Sequence, residues 1–206
     1  MLVIGKITNS MSNTTKEWFG IPIYCRADVF SFDEKTQLYN SFVKLKDQNA
    51  LRTYNGTSHL TYGTNIISVL DMFNLQSIKE KIRLYCNDFL IECGTKFKRI
   101  DVNSDWLIGY NKNEYQGEHN HGYVDNVISG VVYVRVPENS SPIIFSTPTP
   151  FITHACLKNL RDSVFYTPAE GMIIIFPSFL KHKVMPNTDI SDGSLRLGLS
   201  FNAAIS

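Results

Sequence analysis

Gly117-Glu118-His119-Asn120-His121 runs, after a short Gly/Asn/Asp-containing link, into Val127-Ile128-Ser129-Gly130-Val131-Val132-Tyr133-Val134-Arg135-Val136. The second segment is dense in β-branched residues and reads as a long buried strand. Side chains two apart on an extended segment point the same way, so His119 and His121 can face one ion. Neutral imidazole is the commonest metal ligand and suits iron, zinc, copper and nickel. The pair alone fits two surface histidines in a polar loop equally well, because His-x-His is a short pattern. A third histidine shifts the balance. His182 follows Gly171-Met172-Ile173-Ile174-Ile175-Phe176-Pro177-Ser178, a buried strand ended by a Pro-Ser turn. From there it can close a site opened by His119 and His121.

The rest of the second half has the same character. Segments 97–102, 106–110, 127–136, 143–146, 164–166, 172–176, 183–185 and 195–202 are short, β-branched or aromatic, and separated by Gly, Pro, Asn and Asp. In the first half the period is helical. Leu38, Phe42 and Leu45 make one face of a helix over 33–48, with Ser31 or Asp33 as cap, and residues 49–64 read as a loop. Ile78, Ile82, Tyr85, Phe89 and Cys93 make a second amphipathic face, begun after Asn74 or Ser77 and stopped by Gly94. Trp18-Phe19-Gly20-Ile21-Pro22-Ile23-Tyr24 reads as a short strand or hook packed on the core, and residues 1–17 as a loose terminus. Helices followed by many strands define an α+β chain, with a double-sheet jelly roll over 95–206 and the helical part, 18–94, packed on one face. At 206 residues this is a single domain.

Composition narrows the function. The net charge of +1, with 20 basic and 19 acidic residues, argues against an electrostatic nucleic-acid binder. No apolar stretch reaches the length of a membrane span, and Met1 to Lys6 is too short for a signal-peptide core. Cys25, Cys86, Cys93 and Cys156 form no CxxC and no dense framework. Cys86 and Cys93 are expected to be buried thiols, in a reduced, cytoplasmic compartment. Edge strands make a homodimer an expectation as well.

Arg196 stands in an otherwise apolar strand, Leu195-Arg196-Leu197-Gly198-Leu199-Ser200-Phe201-Asn202, with Gly198 and Ser200 on its face. A buried guanidinium needs a carboxylate or phosphate, and its fork fits a carboxylate with two bonds. That partner is a protein acid such as Asp192, or a ligand carboxylate.

Taken together, Trp106–Tyr110, Glu118–His121, Ile128–Val134, Phe176–His182 and Arg196–Asn202 resemble the iron(II)/2-oxoglutarate-dependent oxygenases, especially a small group common in marine phages and bacteria. The resemblance spans most of the chain beyond residue 17. It implies a double-stranded β-helix with Fe(II) near one open end and 2-oxoglutarate as co-substrate. Iron would be held by His119, by His121 in the place usually taken by an acid, and by His182. Glu118 and Asp125 are nearby carboxylates that could support or replace His121. Arg196 would take the far carboxylate of 2-oxoglutarate, with Ser200 and Tyr110 beside it. Tyr115, Tyr123 and Tyr133 also crowd this region, and each reads first as a core or rim aromatic. The implied activity is dioxygen-dependent hydroxylation of an unidentified substrate. Two alternatives stay open: a cupin-like metal enzyme that does not use 2-oxoglutarate, and a non-catalytic, phage-derived accessory protein with a degenerate site.

Overall fold

The structure is a computed structural model that describes residues 15–18, 20–96, 99–122, 127–148 and 162–205, with backbone alone for 15–18. Its elements in chain order are β1 (Thr15–Trp18), β2 (Ile21–Arg26), α1 (Phe32–Asp47), β3 (Arg52–Tyr54), β4 (Thr57–Leu60), α2 (Val69–Met72), α3 (Gln76–Glu92) and β5 (Ile100–Tyr110). There follow β6 (Gln116–His119), β7 (Ile128–Arg135), β8 (Ile143–Ser146), β9 (Ser163–Tyr166), β10 (Ile173–Pro177), β11 (His182–Val184) and β12 (Arg196–Ile205). The chain is mostly β-sheet with few helices. An eight-stranded sheet has the order β1-β2-β10-β7-β12-β5-β4-β3, and a four-stranded sheet the order β6-β11-β8-β9. All the strand pairings given by their register are antiparallel.

Both long helices form where the apolar period placed them. In α1, the Ser31 side chain accepts from Glu34 N–H, and the Glu34 carboxylate accepts from Ser31 N–H, a reciprocal capping box. Leu38, Phe42 and Leu45 are buried on one stripe. In α3 the buried stripe is Ile78, Ile82, Cys86, Phe89 and Leu90. Gly94, at φ +69, supplies the left-handed residue that ends the helix. Tyr85 is only partly buried, and Cys93 is exposed, contrary to expectation: it is the cap residue one past the end of α3 and lies beyond the packed part of the stripe. Cys86 is buried as expected.

The two faces of the large sheet do different work. Leu197, Leu199, Phe201 and Ala203 of β12 join the core that α1 and α3 cover. The alternate set on the same strand, Arg196, Gly198, Ser200 and Asn202, lines a cavity on the other face. A second core, built on Tyr133, Phe145, Ile174 and Phe176, fills part of the space between the two sheets. The period-2 alternation of one strand thus separates packing from site.

Three expectations are corrected here. Residues 49–64 are not all loop: β3 and β4 form a hairpin, and β4 joins the large sheet through β5. Its turn is Asn55-Gly56, at φ 49 and 95, the positive-φ pair that a two-residue hairpin needs. Segments 97–102 and 106–110 are not separate strands. Residues 100–110 run as one strand because Asp105 is buried and bonded, accepting from Ser68 Oγ (2.6 Å) and Leu70 N (2.9 Å). Phe97 lies outside the described residues. Residues 15–17 are part of β1, which pairs with β2.

Candidate active site

His119 ends β6 and His182 begins β11, and the two face each other in register across that pair. His121 lies two residues beyond the end of β6. One ring nitrogen from each histidine lies within 4.8 Å of the others. The hydrogen bonds identify which nitrogen. His119 Nδ1 is 2.8 Å from Gly117 O, and His182 Nδ1 is 3.0 Å from Leu180 O. His121 Nδ1 is 2.8 Å from Asn202 Oδ1 and 3.0 Å from Ser129 Oγ. A backbone carbonyl can only accept, so in His119 and His182 Nδ1 carries the proton and Nε2 keeps its lone pair for the common centre; His121 does the same where Asn202 turns its Oδ1 to the ring. The donor set therefore fits a metal ion.

Burial keeps the rings neutral. It holds His121 down to about 4, against a partly opposing hydrogen bond with Asn202, and holds His182 well below the ordinary imidazole value. His119 is lowered by burial as well. Neutral imidazole is the form that binds a metal. Glu118, the alternative acid, is exposed and accepts from Ser146 Oγ (2.6 Å). Asp125 lies outside the described residues. Among the described residues the cluster is thus three histidines.

Arg196 lines the same cavity, of about 260 Å³, and is 2 % exposed. Its Nη1 donates to Ser141 O (2.5 Å), and its Cζ lies 5.3 Å from the Tyr110 ring centroid and 5.4 Å from that of Tyr133. Asp192, the protein partner considered for it, is exposed and pairs with Lys112 at 3.0 Å. Among the described residues no carboxylate lies within ion-pair distance of the Arg196 guanidinium. The Tyr133 hydroxyl is buried beside it; burial raises its pKa, partly opposed by the neighbouring Arg196 guanidinium. A guanidinium with no acid partner among the described residues and a buried hydroxyl beside it, both lining one cavity, suit a carboxylate ligand.

The structure brings Tyr110 and Ser200 to the same cavity as Arg196. Tyr115 is not among the residues lining it and is half exposed, and Tyr123 lies outside the described residues. Sequence reasoning left Tyr133 as a core aromatic, although its place two residues after Val131 and four after Ser129 on an alternating strand puts it on their face. It missed Gln116 altogether. Gln116 lines the cavity from β6 with its Oε1 buried and unpartnered. Beyond the histidines an aromatic wall leads outward. The Trp106 ring lies 5.5 Å from His121, and Tyr62, half exposed, lies 5.1 Å from Trp106.

Fold and site together define a three-histidine candidate metal centre in a cavity between two antiparallel sheets. Residues 104–202, which carry all three histidines and Arg196, match the family model described as "Putative 2OG-Fe(II) oxygenase". Solved structures agree on the fold. A Pseudomonas putida prolyl-4-hydroxylase is 14% identical, with 88% of this chain and 92% of that one covered at a TM-score of 0.59. The viral collagen prolyl hydroxylase of Paramecium Bursaria Chlorella virus-1 is 15% identical, covering 89% and 96% at 0.57. The alpha-ketoglutarate-dependent epimerase SnoN of nogalamycin biosynthesis is 10% identical, covering 88% and 76% at 0.63. No curated protein sequence matches the chain. Over residues 104–202 the chain is thus similar to the 2OG-Fe(II) oxygenases, a family that uses Fe(II) and 2-oxoglutarate. No helix among the described residues is long and apolar enough to cross a membrane.

Proposed function

We propose that the chain is a 2-oxoglutarate-dependent dioxygenase that hydroxylates its substrate, with His119, His121 and His182 as iron ligands and Arg196 as the anchor for the far carboxylate of the co-substrate. One observation carries this reading: three neutral imidazoles and a buried arginine, with no acid partner among the described residues, line a single cavity. When bound, iron(II) and 2-oxoglutarate supply the oxidation: dioxygen and 2-oxoglutarate yield succinate and carbon dioxide, and one oxygen atom enters a substrate C–H bond. The protein's own residues hold and orient. Arg196 offers its remaining N–H groups to a carboxylate, and the Tyr133 hydroxyl adds a third donor. Ser200 and Tyr110 flank that end. The stacked walls of the two sheets keep bulk water from the centre.

The two sheets are read as the jelly roll of this superfamily, within one domain that takes in the whole chain. The cupin-like alternative gives Arg196 no task, and the cavity places it with the histidines. The aromatic wall from Trp106 to Tyr62 suits an apolar or ring-bearing substrate group, and prolyl hydroxylases are among the structural neighbours. A peptidyl proline is therefore the first substrate to try. Cysteine usage supports a reduced, cytoplasmic setting.

The test is succinate formation by purified protein given Fe(II), 2-oxoglutarate and oxygen, with and without proline-containing peptides. Succinate above the metal-free control supports the reading. None under any condition, in protein that binds both iron and 2-oxoglutarate, overturns it.

A further inference from the structure

We propose that Asn202 is a positioning residue that sets the tautomer of His121 and so decides whether the third imidazole presents a lone pair or a proton to the metal centre. The inference rests on the three-histidine reading above and goes beyond it by naming what holds the unusual ligand.

His121 is the one member of the triad without a strand to fix it. His119 and His182 sit in a β ladder, whereas His121 lies in the coil after β6. Three contacts hold it instead. Its backbone N–H donates to Ser178 O (2.8 Å), and its Nδ1 meets Asn202 Oδ1 (2.8 Å) and Ser129 Oγ (3.0 Å).

Asn202 is placed for this by register. It sits on β12 opposite Ser129 of β7 on one side and Ser104 of β5 on the other. The β12–β5 ladder shifts register immediately after it, between Asn202 and Ala203, the kind of irregularity that re-aims a side chain beside a site. Asn202 is 5 % exposed. One direction of donation satisfies the whole group. Ser178 Oγ donates to Ser129 Oγ (2.9 Å), and Ser129 Oγ to Asn202 Oδ1 (2.7 Å). His121 Nδ1–H takes the second lone pair of that oxygen, and Asn202 Nδ2 donates to Ser104 Oγ (3.2 Å).

The reverse amide orientation would satisfy the same atoms by donating to Nδ1. It would leave the imidazole proton on Nε2, facing the centre, and the ring could not ligate. A carboxylate at 202 can only accept, and so enforces the ligating tautomer. An aliphatic side chain enforces neither.

Two measurements test this. The first is a long-range 1H–15N spectrum of metal-free protein labelled at histidine, which reads the tautomer without any metal. His121 protonated on Nδ1 is expected, and His121 protonated on Nε2 overturns the proposal. The second is Co(II) affinity by visible absorption. Asn202→Leu is expected to weaken Co(II) by about 10- to 100-fold, the range for lost outer-sphere partners. Asn202→Asp is expected to restore it, with the Nδ1 proton kept. Unchanged Co(II) affinity in a folded Asn202→Leu protein also overturns the proposal. Should that variant fail to fold, the wild-type spectrum and the Asn202→Asp affinity decide, and an Asn202→Asp protein that loses Co(II) counts against the proposal. If wild-type protein binds no Co(II), the three-histidine reading fails, while the metal-free spectrum still judges the role of Asn202.

Discussion

Replacing Arg196 with methionine separates the two tasks a buried arginine can have. If Arg196 were a structural ion-pair partner, removing it would strand a buried acid and cost about 3–5 kcal/mol. No carboxylate among the described residues pairs with it, so the energies balance differently. The substitution removes a charge-assisted hydrogen bond to Ser141 O, worth about 1.5–3 kcal/mol. It also removes two cation–π contacts, with Tyr110 and Tyr133, at about 0.5–2 kcal/mol each. Against these stands relief of an unpaired charge at 2 % exposure, a gain of several kcal/mol. The terms offset to within about 2 kcal/mol, so Tm should move by only about 4–8 °C in either direction for a chain of this size. Co-substrate binding should respond far more. Loss of one partner from a buried charged pair costs about 2–5 kcal/mol, which is about 30-fold to several thousandfold in Kd. Calorimetric titration of 2-oxoglutarate under anaerobic conditions, beside a thermal melt, reads both quantities. A 2-oxoglutarate Kd within about threefold of wild type would refute the reasoning. So would a melt showing a loss well above 5 kcal/mol, which would mean that Arg196 serves a protein acid.

Two further outcomes follow from the geometry. The metal-free protein should lose stability as pH falls. His121 is held to about 4 when folded, so below pH 6.5 the unfolded chain binds a proton that the folded chain refuses. The stability is complete above pH 6.5, and by pH 5 His121 alone removes about 2 kcal/mol, with His119 and His182 adding in the same direction. Urea titrations at pH 7.5 and 5 check this, and a His121→Gln protein should show a shallower dependence. Separately, Gly130→Ala should destabilise by about 1–3 kcal/mol, because the new methyl would run into the buried Phe201 ring and lie 2.7 Å from Ile174 O. A neutral Gly130→Ala in denaturant titration would show that the β7–β12 contact is looser than described, and Phe201→Leu should recover part of the loss.

Much of this was readable in the residues. The apolar periods of α1 and α3, and the β-branched runs of β7, β8, β10 and β12, are long or strong enough to outweigh local ambiguity. The triad was legible because imidazoles are rare in this chain and fall at the ends of such runs. What escaped shares one physical cause. The strands β3, β4 and β6 are three or four residues long and, apart from Leu60 and Gly117, built from Arg, Thr, Tyr, Ser, His, Gln and Glu, so they carry little alternation. They exist because neighbours accept their backbone groups, as β5 does for β4 and β11 for β6. The Asn55-Gly56 pair was the local signal of the first hairpin. Asn202 was within reach too: it continues the alternation Arg196, Gly198, Ser200, and so had to share their face. Its bonds to His121 and Ser129 span 81 and 73 residues, and only the central position of β12 brings them together.

The most direct measurement of the central claim is an anaerobic titration of the purified chain with Fe(II), followed by 2-oxoglutarate, counting bound iron and co-substrate per chain. One Fe(II) and one 2-oxoglutarate per chain, with iron lost in His182→Ala and 2-oxoglutarate alone weakened in Arg196→Met, is the predicted result. Iron bound equally well by His182→Ala, or no iron bound by the wild-type chain, would contradict the account.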